Sequence, residues 1–183
     1  MSQSTLILTE MLHAERSKEH IGRIGQWVAQ SPERVAALIA LFTGQPPRLA
    51  ELAAWVVGDL GVQQPELFAP WVPRLIAFIE QPGLHNSLYR NALRVLQSLD
   101  IPPDLQGQCA DVCFRLFDSP QEAIAVRVFA GYTLINICKA EPDLWPELLI
   151  RAEEYAVHGS PGMKACYKKV RFEYNRKPHD KRK

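Results

Sequence analysis

The chain has 183 residues, of which 47% are hydrophobic and 22% are charged. This share of apolar side chains is large enough to bury a core, which excludes a disordered chain and predicts one folded domain. The formal net charge is +1, but it is unevenly distributed: residues 1–160 carry 12 Lys and Arg against 18 Asp and Glu, and residues 161–183 carry 9 against 2.

No apolar run is long enough to predict a membrane span, because the best candidate, residues 123–138, contains Arg127 and Asn136. The first residues, MSQSTLILTE, lack a basic n-region, and Glu10 interrupts their apolar stretch. A secretory signal is therefore not predicted. We expect a cytoplasmic protein that does not contact membranes.

Segments with helical periodicity follow one another along the chain, and no alternating strand pattern is present. Proline or Ser-Pro opens most of them, as expected of a first helical turn and its N-cap. Glycine falls near the opposite ends, where a left-handed terminating residue is common: Gly44, Gly61, Gly83 and Gly159. The predicted helices are 5–16, 18–30, 32–43, 47–60, 65–81, 86–99, 103–118, 121–139, 143–157 and 161–175.

The segments form pairs, and the second helices of successive pairs share a pattern. The matching stretches are AAWVVGDL from Ala53, ALRVLQSL from Ala92, AGYTLINI from Ala130 and, more loosely, ACYKKVRF from Ala165. Their spacing of 39, 38 and 35 residues is a period near 40 with two helices per unit. The small alanine lets neighbouring helices approach closely, and the aliphatic residues four and seven positions later fill the seam between layers.

This repeat predicts an all-α fold, a right-handed α-α superhelix of about ten helices in four to five antiparallel pairs. Over nearly its whole length the sequence resembles HEAT and armadillo repeat proteins, most closely in AVRVFAGYTLINI from Ala125. The resemblance implies a solenoid whose second helices line a concave surface. We expect one repeat domain over residues 1–175 and a basic, flexible tail over residues 176–183.

The chain also resembles a group of small bacterial HEAT-like proteins that often carry the name adenylosuccinate lyase. The resemblance lies in LAAWVVGDL, in VFAGYTLINICKAEPDLWPEL and in the lysine-rich last helix. That name implies a lyase-related activity as a remote alternative. However, the Met-Pro-x-Lys-x-Asn signature that the true lyases share is missing, because none of Met1, Met11 and Met163 precedes a proline. We therefore predict that the chain is not an enzyme.

The reactive side chains predict no metal or cofactor site. The five histidines are scattered, and none belongs to an HxxxH or HExxH arrangement that would hold zinc. Cys109 and Cys113 share one face of a predicted helix, but no nearby histidine completes a metal set. Core packing as free thiols is the prediction for all four cysteines.

The second helices carry the first candidate binding surface. In the register of the matched alanines, non-core positions align in rows that mix aromatic side chains with charged and amide groups, a composition typical of recognition sites. The candidate residues of this concave face are Trp55, Asp59, Arg90, Arg94, Tyr132, Asn136, Tyr167 and Arg171. The alternative is that these residues only pack, with Glu51 and Arg90 as an interhelical ion pair.

Basic residues near the C-terminus form the second candidate surface. Its members are Lys164, Lys168, Lys169, Arg176 and Lys177. Such cations neutralise nucleic-acid phosphates, although the rest of the chain is acidic. We therefore predict a non-catalytic scaffold that binds a protein partner, as a monomer or a weak homodimer, with nucleic-acid binding as the alternative.

Overall fold

The computed structural model describes residues 2–176. Within that range the chain forms ten α-helices, two short 3-10 helices and no strand. The α-helices are α1 (Gln3–Ala14), α2 (Lys18–Ala29), α3 (Pro32–Phe42), α4 (Pro47–Gln63), α5 (Val72–Ile79), α6 (Asn86–Leu96), α7 (Pro103–Asp118), α8 (Ile124–Ala140), α9 (Trp145–Val157) and α10 (Pro161–Arg176). The predicted all-α fold is confirmed, whereas residues 177–183 of the predicted tail lie outside the described residues.

The prediction of a single helix over residues 65–81 is wrong. Pro65–Trp71 form a 3-10 helix, and α5 begins only at Val72. Pro70 lies inside the 3-10 helix, and its nitrogen has no hydrogen to donate. A regular α-helical hydrogen-bond ladder therefore cannot run through this segment.

The chain divides into two compact units, one ending at Leu105 and one beginning at Gln106. In the first unit α1 packs against α3, and α4 packs against α2, α3 and α6. In the second unit α10 packs against α8 and α9. In each unit, second helices of successive pairs therefore lie side by side, as the repeat predicts. One repeat domain over residues 1–175 stays a prediction.

Three of the four matched alanines are buried in their helices. Ala53 on α4, Ala92 on α6 and Ala130 on α8 are each completely inaccessible to solvent. A small side chain such as a methyl group lets neighbouring helices lie close together, and the burial of all three alanines agrees with a packing seam at these positions. The predicted burial of these alanines is confirmed.

The fourth matched alanine, Ala165, is exposed, so the register predicted for α10 is wrong by one residue. The buried residues of α10 are Met163, Cys166 and Val170. Cys166 therefore takes the position that alanine holds in the other second helices, with apolar neighbours three residues before it and four after it. A thiol is small enough to fill such a site.

Two glycines of α4 bring α6 into close contact. A Cβ built at Gly58 would lie 2.7 Å from Cγ of Asn91, and one built at Gly61 would lie 3.3 Å from Cβ of Val95 and overlap its Cγ2. Nothing larger than hydrogen fits either site without a shift. The prediction that Gly61 ends a helix is wrong, because α4 continues to Gln63. Among the described glycines, a positive φ occurs at Gly83, where it is 73°.

All four cysteines are buried free thiols, as predicted. Cys138 and Cys166 lie in the interior of the second unit. Burial raises the pKa of each thiol from 9.0 to about 12, and the charge of Lys169 opposes this shift at Cys166. Thiols with such a high pKa carry almost no thiolate at neutral pH, so we expect them to be unreactive in the folded protein.

These raised thiol pKa values predict that alkaline pH destabilises the fold. The unfolded chain releases both protons near pH 9, and the folded chain keeps them up to about pH 12. Their contribution to the free energy of unfolding is therefore intact below pH 9 and declines by about 1.4 kcal/mol per pH unit and thiol above it. Urea unfolding of the wild type and of Cys138→Ala/Cys166→Ala, below and above pH 9, measures the effect. The double variant should show the shallower decline, and equal slopes would contradict the prediction.

Candidate binding surfaces

Helices α4 and α6 run side by side in the same direction in the first unit. Two close contacts join Gly58 to Asn91 and Gly61 to Val95, so the contact advances along both helices together. The Asn91 side chain is fixed, since its Nδ2 donates a hydrogen bond of 2.8 Å to the Ser87 carbonyl oxygen. These contacts hold the two helices at a defined level relative to each other.

The four candidate residues on these two helices form what we call the α4/α6 face: Trp55, Asp59, Arg90 and Arg94. Since Gly58 meets Asn91, the preceding residue Arg90 lies at a level between Trp55 and Asp59, which are one helical turn apart, about 6 Å. Trp55 is 39% exposed, and Asp59 Oδ2 accepts a hydrogen bond of 2.8 Å from Gln63 Nε2. The helix contact therefore places Arg90 at the level of the non-buried α4 residues Trp55 and Asp59, and their grouping into one surface stays a prediction.

Neither arginine of the α4/α6 face has an ion-pair partner within residues 2–176. Arg90 is exposed and Arg94 is half-buried. Glu51 was suggested as an ion-pair partner for Arg90. Its Oε2 atom instead lies 3.5 Å from Nη1 of Arg48 on the same helix. Both guanidinium groups are thus available to carboxylates of another molecule.

The sequence analysis missed one member of this surface. Val62 is an exposed apolar residue of α4, seven positions after Trp55 and therefore on the same side of the helix. It extends the apolar area towards the end of α4. The seven-residue spacing was the sequence signal for it.

In the second unit the predicted row from Tyr132 to Tyr167 is not formed. The Nζ atom of Lys169 lies 4.0 Å from the Tyr132 ring centroid, so Lys169 is the α10 residue above this ring. The Tyr167 hydroxyl instead donates a hydrogen bond of 2.9 Å to Glu153 Oε1 on α9. Asn136 on α8 is half-buried, and Arg171 on α10 is exposed. The predicted register of α10 therefore does not describe its contact with Tyr132.

A cleft of about 610 Å³ opens between α9 and α10. We call it the α9/α10 cleft. Its lining residues are Glu153, Ala156, Val157, Lys164, Tyr167, Lys168, Arg171, Phe172 and Asn175. The cleft joins two members of the predicted basic patch with two residues that had been assigned to the concave face. It was not predicted, because it depends on how two helices are spaced.

The other members of the basic patch lie elsewhere or outside the described residues. Lys169 covers the Tyr132 ring, as described above. The guanidinium carbon of Arg176 lies 5.3 Å from the Phe172 ring centroid. Lys177 belongs to the residues that the structure does not describe.

Three of the described histidines, His13, His20 and His85, make local hydrogen bonds. His20 Nε2 lies 2.8 Å from the Met11 carbonyl oxygen, and His85 Nδ1 accepts a hydrogen bond from the Ser87 amide at the start of α6. Residues 2–176 contain no group of three His, Cys, Asp or Glu side chains placed to hold a metal ion. No helix of that part of the chain combines the length and apolarity that crossing a membrane requires.

The paired helices and the shared pattern of their second members define an all-helical repeat protein. A family model of the HEAT repeat domain matches residues 8–173, and the chain belongs to the HEAT repeat family. A search of curated proteins found no match. HEAT repeat proteins are generally non-catalytic scaffolds that mediate protein interactions.

Proposed function

We propose that this chain is a non-catalytic scaffold that binds a protein partner through the α4/α6 face. The observation that carries the proposal is a tryptophan on α4, Trp55, left 39% exposed, while α6, which packs against α4, carries two arginines without ion-pair partners in the described chain. Tryptophan and arginine are the residues most enriched among those that dominate binding energy at protein interfaces. An indole next to free guanidinium groups suits a partner surface with an apolar side chain flanked by carboxylates.

The packing beneath the face supports the same proposal. Gly58 and Gly61 hold α4 against α6, and the Asn91 side chain is tied to its own helix. The four side chains therefore project from a preformed surface. A partner that binds such a surface pays little entropy for ordering it, which favours affinity.

A two-stage experiment tests the proposal. A photoreactive residue in place of Val62 should crosslink a protein partner in the native cell, and one at exposed Gln26 on α2 should not crosslink the same protein. The partner is then purified and titrated against the wild type and Trp55→Ala/Arg94→Ala. We expect the double variant to weaken binding at least tenfold, because truncating a dominant interface residue costs about 2 kcal/mol or more and 1.4 kcal/mol is tenfold.

The matched control is Leu6→Ala, which removes an exposed apolar side chain of α1, a helix that carries none of the four residues of the α4/α6 face. It should leave the affinity unchanged. Equal binding by the wild type and Trp55→Ala/Arg94→Ala would contradict the proposal.

Nucleic-acid binding and lyase-related activity stay predictions. Nucleic-acid binding requires an affinity that falls steeply as salt concentration rises, which a titration with duplex DNA measures directly. Lyase-related activity rests on the resemblance alone and requires fumarate release from adenylosuccinate. A cytoplasmic location and a monomeric or weakly dimeric state belong to the same set of predictions.

A further inference from the structure

The α9/α10 cleft combines exposed apolar side chains with cations. Val157 on α9 is 63% exposed and Phe172 on α10 is 56% exposed. Both line the cleft, together with the smaller Ala156. Apolar side chains this exposed are common singly, but grouped in a concave surface they indicate a site for another molecule.

Three cations on one side of α10 border this apolar area. Lys164, Lys168 and Arg171 are spaced by four and three residues, so they share one face of the helix, and all three are exposed. None of them has an ion-pair partner among residues 2–176. Charge is therefore left unbalanced at the rim of the cleft.

The neighbouring cations of this region already have partners. Lys169 lies over the Tyr132 ring, and the Nζ atom of Lys139 lies 3.9 Å from Oε2 of Glu173. The free cations are thus concentrated at the cleft and are not spread around the whole of α10.

We propose that the α9/α10 cleft binds an acidic, amphipathic segment of a partner protein, with an apolar side chain against Val157 and Phe172 and carboxylates on the three cations. An amphipathic helix that lays its apolar side into a groove is a common mode of peptide recognition. The proposal concerns the second unit and does not rest on the function proposed for the α4/α6 face.

The distribution of charge sets the orientation of this segment. The acid in the cleft, Glu153, lies on the α9 side and accepts a hydrogen bond from the Tyr167 hydroxyl. A partner carboxylate is repelled there and attracted on the α10 side. The segment therefore places its acids along the cations of α10 and its apolar residue between Val157 and Phe172, next to Ala156.

The apolar floor favours a peptide over a nucleic acid. Ala156 and Val157 offer no side-chain donor to a phosphate, and Glu153 repels one. Residues 1–160 are acidic, with 12 basic against 18 acidic side chains. A phosphate backbone that extended beyond the cleft would meet mostly negative charge.

Selection from a displayed library of random dodecapeptides on the full-length chain tests the proposal. Enriched sequences should combine several Asp or Glu residues with Leu, Ile or Phe at helical spacing. The strongest peptide is then synthesised with a fluorophore and titrated by fluorescence anisotropy. We expect Lys168→Glu/Arg171→Glu to weaken its binding at least tenfold and Phe172→Ala to weaken it several-fold.

The charge-matched control is Arg16→Glu/Lys18→Glu, which reverses two exposed cations of the first unit. It should change the peptide affinity by no more than about twofold, which is well below the 1.4 kcal/mol that corresponds to a tenfold change. Enrichment of non-acidic peptides, or equal binding by the wild type and Lys168→Glu/Arg171→Glu, would overturn the proposal. Binding of a short DNA duplex or phosphatidylserine vesicles through these cations, without any peptide binding, would overturn it as well.

Discussion

Replacing Phe117 with alanine is expected to lower the free energy of unfolding by about 3–5 kcal/mol. The Phe117 ring is fully buried, and its centroid lies 5.5 Å from that of Tyr155 in an edge-to-face arrangement. It also fills the space next to Gly131, where a Cβ would lie 3.0 Å from the ring. Truncation leaves a cavity between α7, α8 and α9 that close helix packing cannot collapse. Denaturant unfolding followed by circular dichroism measures the loss.

The matched control is Phe172→Ala, the same substitution at an exposed ring of the same unit. It should change the free energy of unfolding by no more than about 0.5 kcal/mol, as surface substitutions usually do. Similar losses in the two variants would contradict the packing described for Phe117.

Gly61→Ala should destabilise the protein by about 1–2 kcal/mol, although alanine is the better helix former. A Cβ at this site overlaps Val95 Cγ2 on α6. Val95 is fully buried and β-branched, so its side chain cannot turn away easily. The overpacking costs about 1–3 kcal/mol, and the gain in helix propensity offsets about 0.5–1 kcal/mol of it.

Gly22→Ala on α2 is the control for this prediction. Nothing lies within 4 Å of a Cβ built at Gly22, so only the gain in helix propensity remains, and we expect stabilisation by about 0.5–1 kcal/mol. Thermal and urea unfolding of both variants give the two signs directly. A stabilising Gly61→Ala would mean that α4 and α6 are further apart than described.

The all-α repeat fold could be predicted from the sequence, because each repeated pattern lies within a single helix and can be recognised without knowing the contacts between helices. Ala53, Ala92 and Ala130 recur with the period of a helix pair, and all three are buried at the second helices. The register of α10 was misassigned because Ala165 and Cys166 are adjacent and both small. The apolar spacing of Met163, Cys166 and Val170 would have given the correct register.

The contacts between helices could not be predicted in the same way. Gly61 was expected near a helix end, and the sequence analysis did not single out Gly58. Only the path of α6 reveals that Asn91 and Val95 occupy the space that larger side chains would need at these positions. The α9/α10 cleft depends likewise on the spacing of two helices. Of the candidate surface, Tyr167 and Arg171 line the cleft, whereas the grouping of the four residues of the α4/α6 face stays a prediction.

In this fold second helices touch through small residues, as Gly61 of α4 does with Val95 of α6, and this contact holds their outer side chains in place. Nuclear Overhauser effects between the α-protons of Gly61 and the γ-methyl protons of Val95 test this contact most directly. The short approach between these residues predicts a strong cross-peak in the folded protein. Its absence, with Val95 methyl cross-peaks only to residues of α6, would contradict the claim.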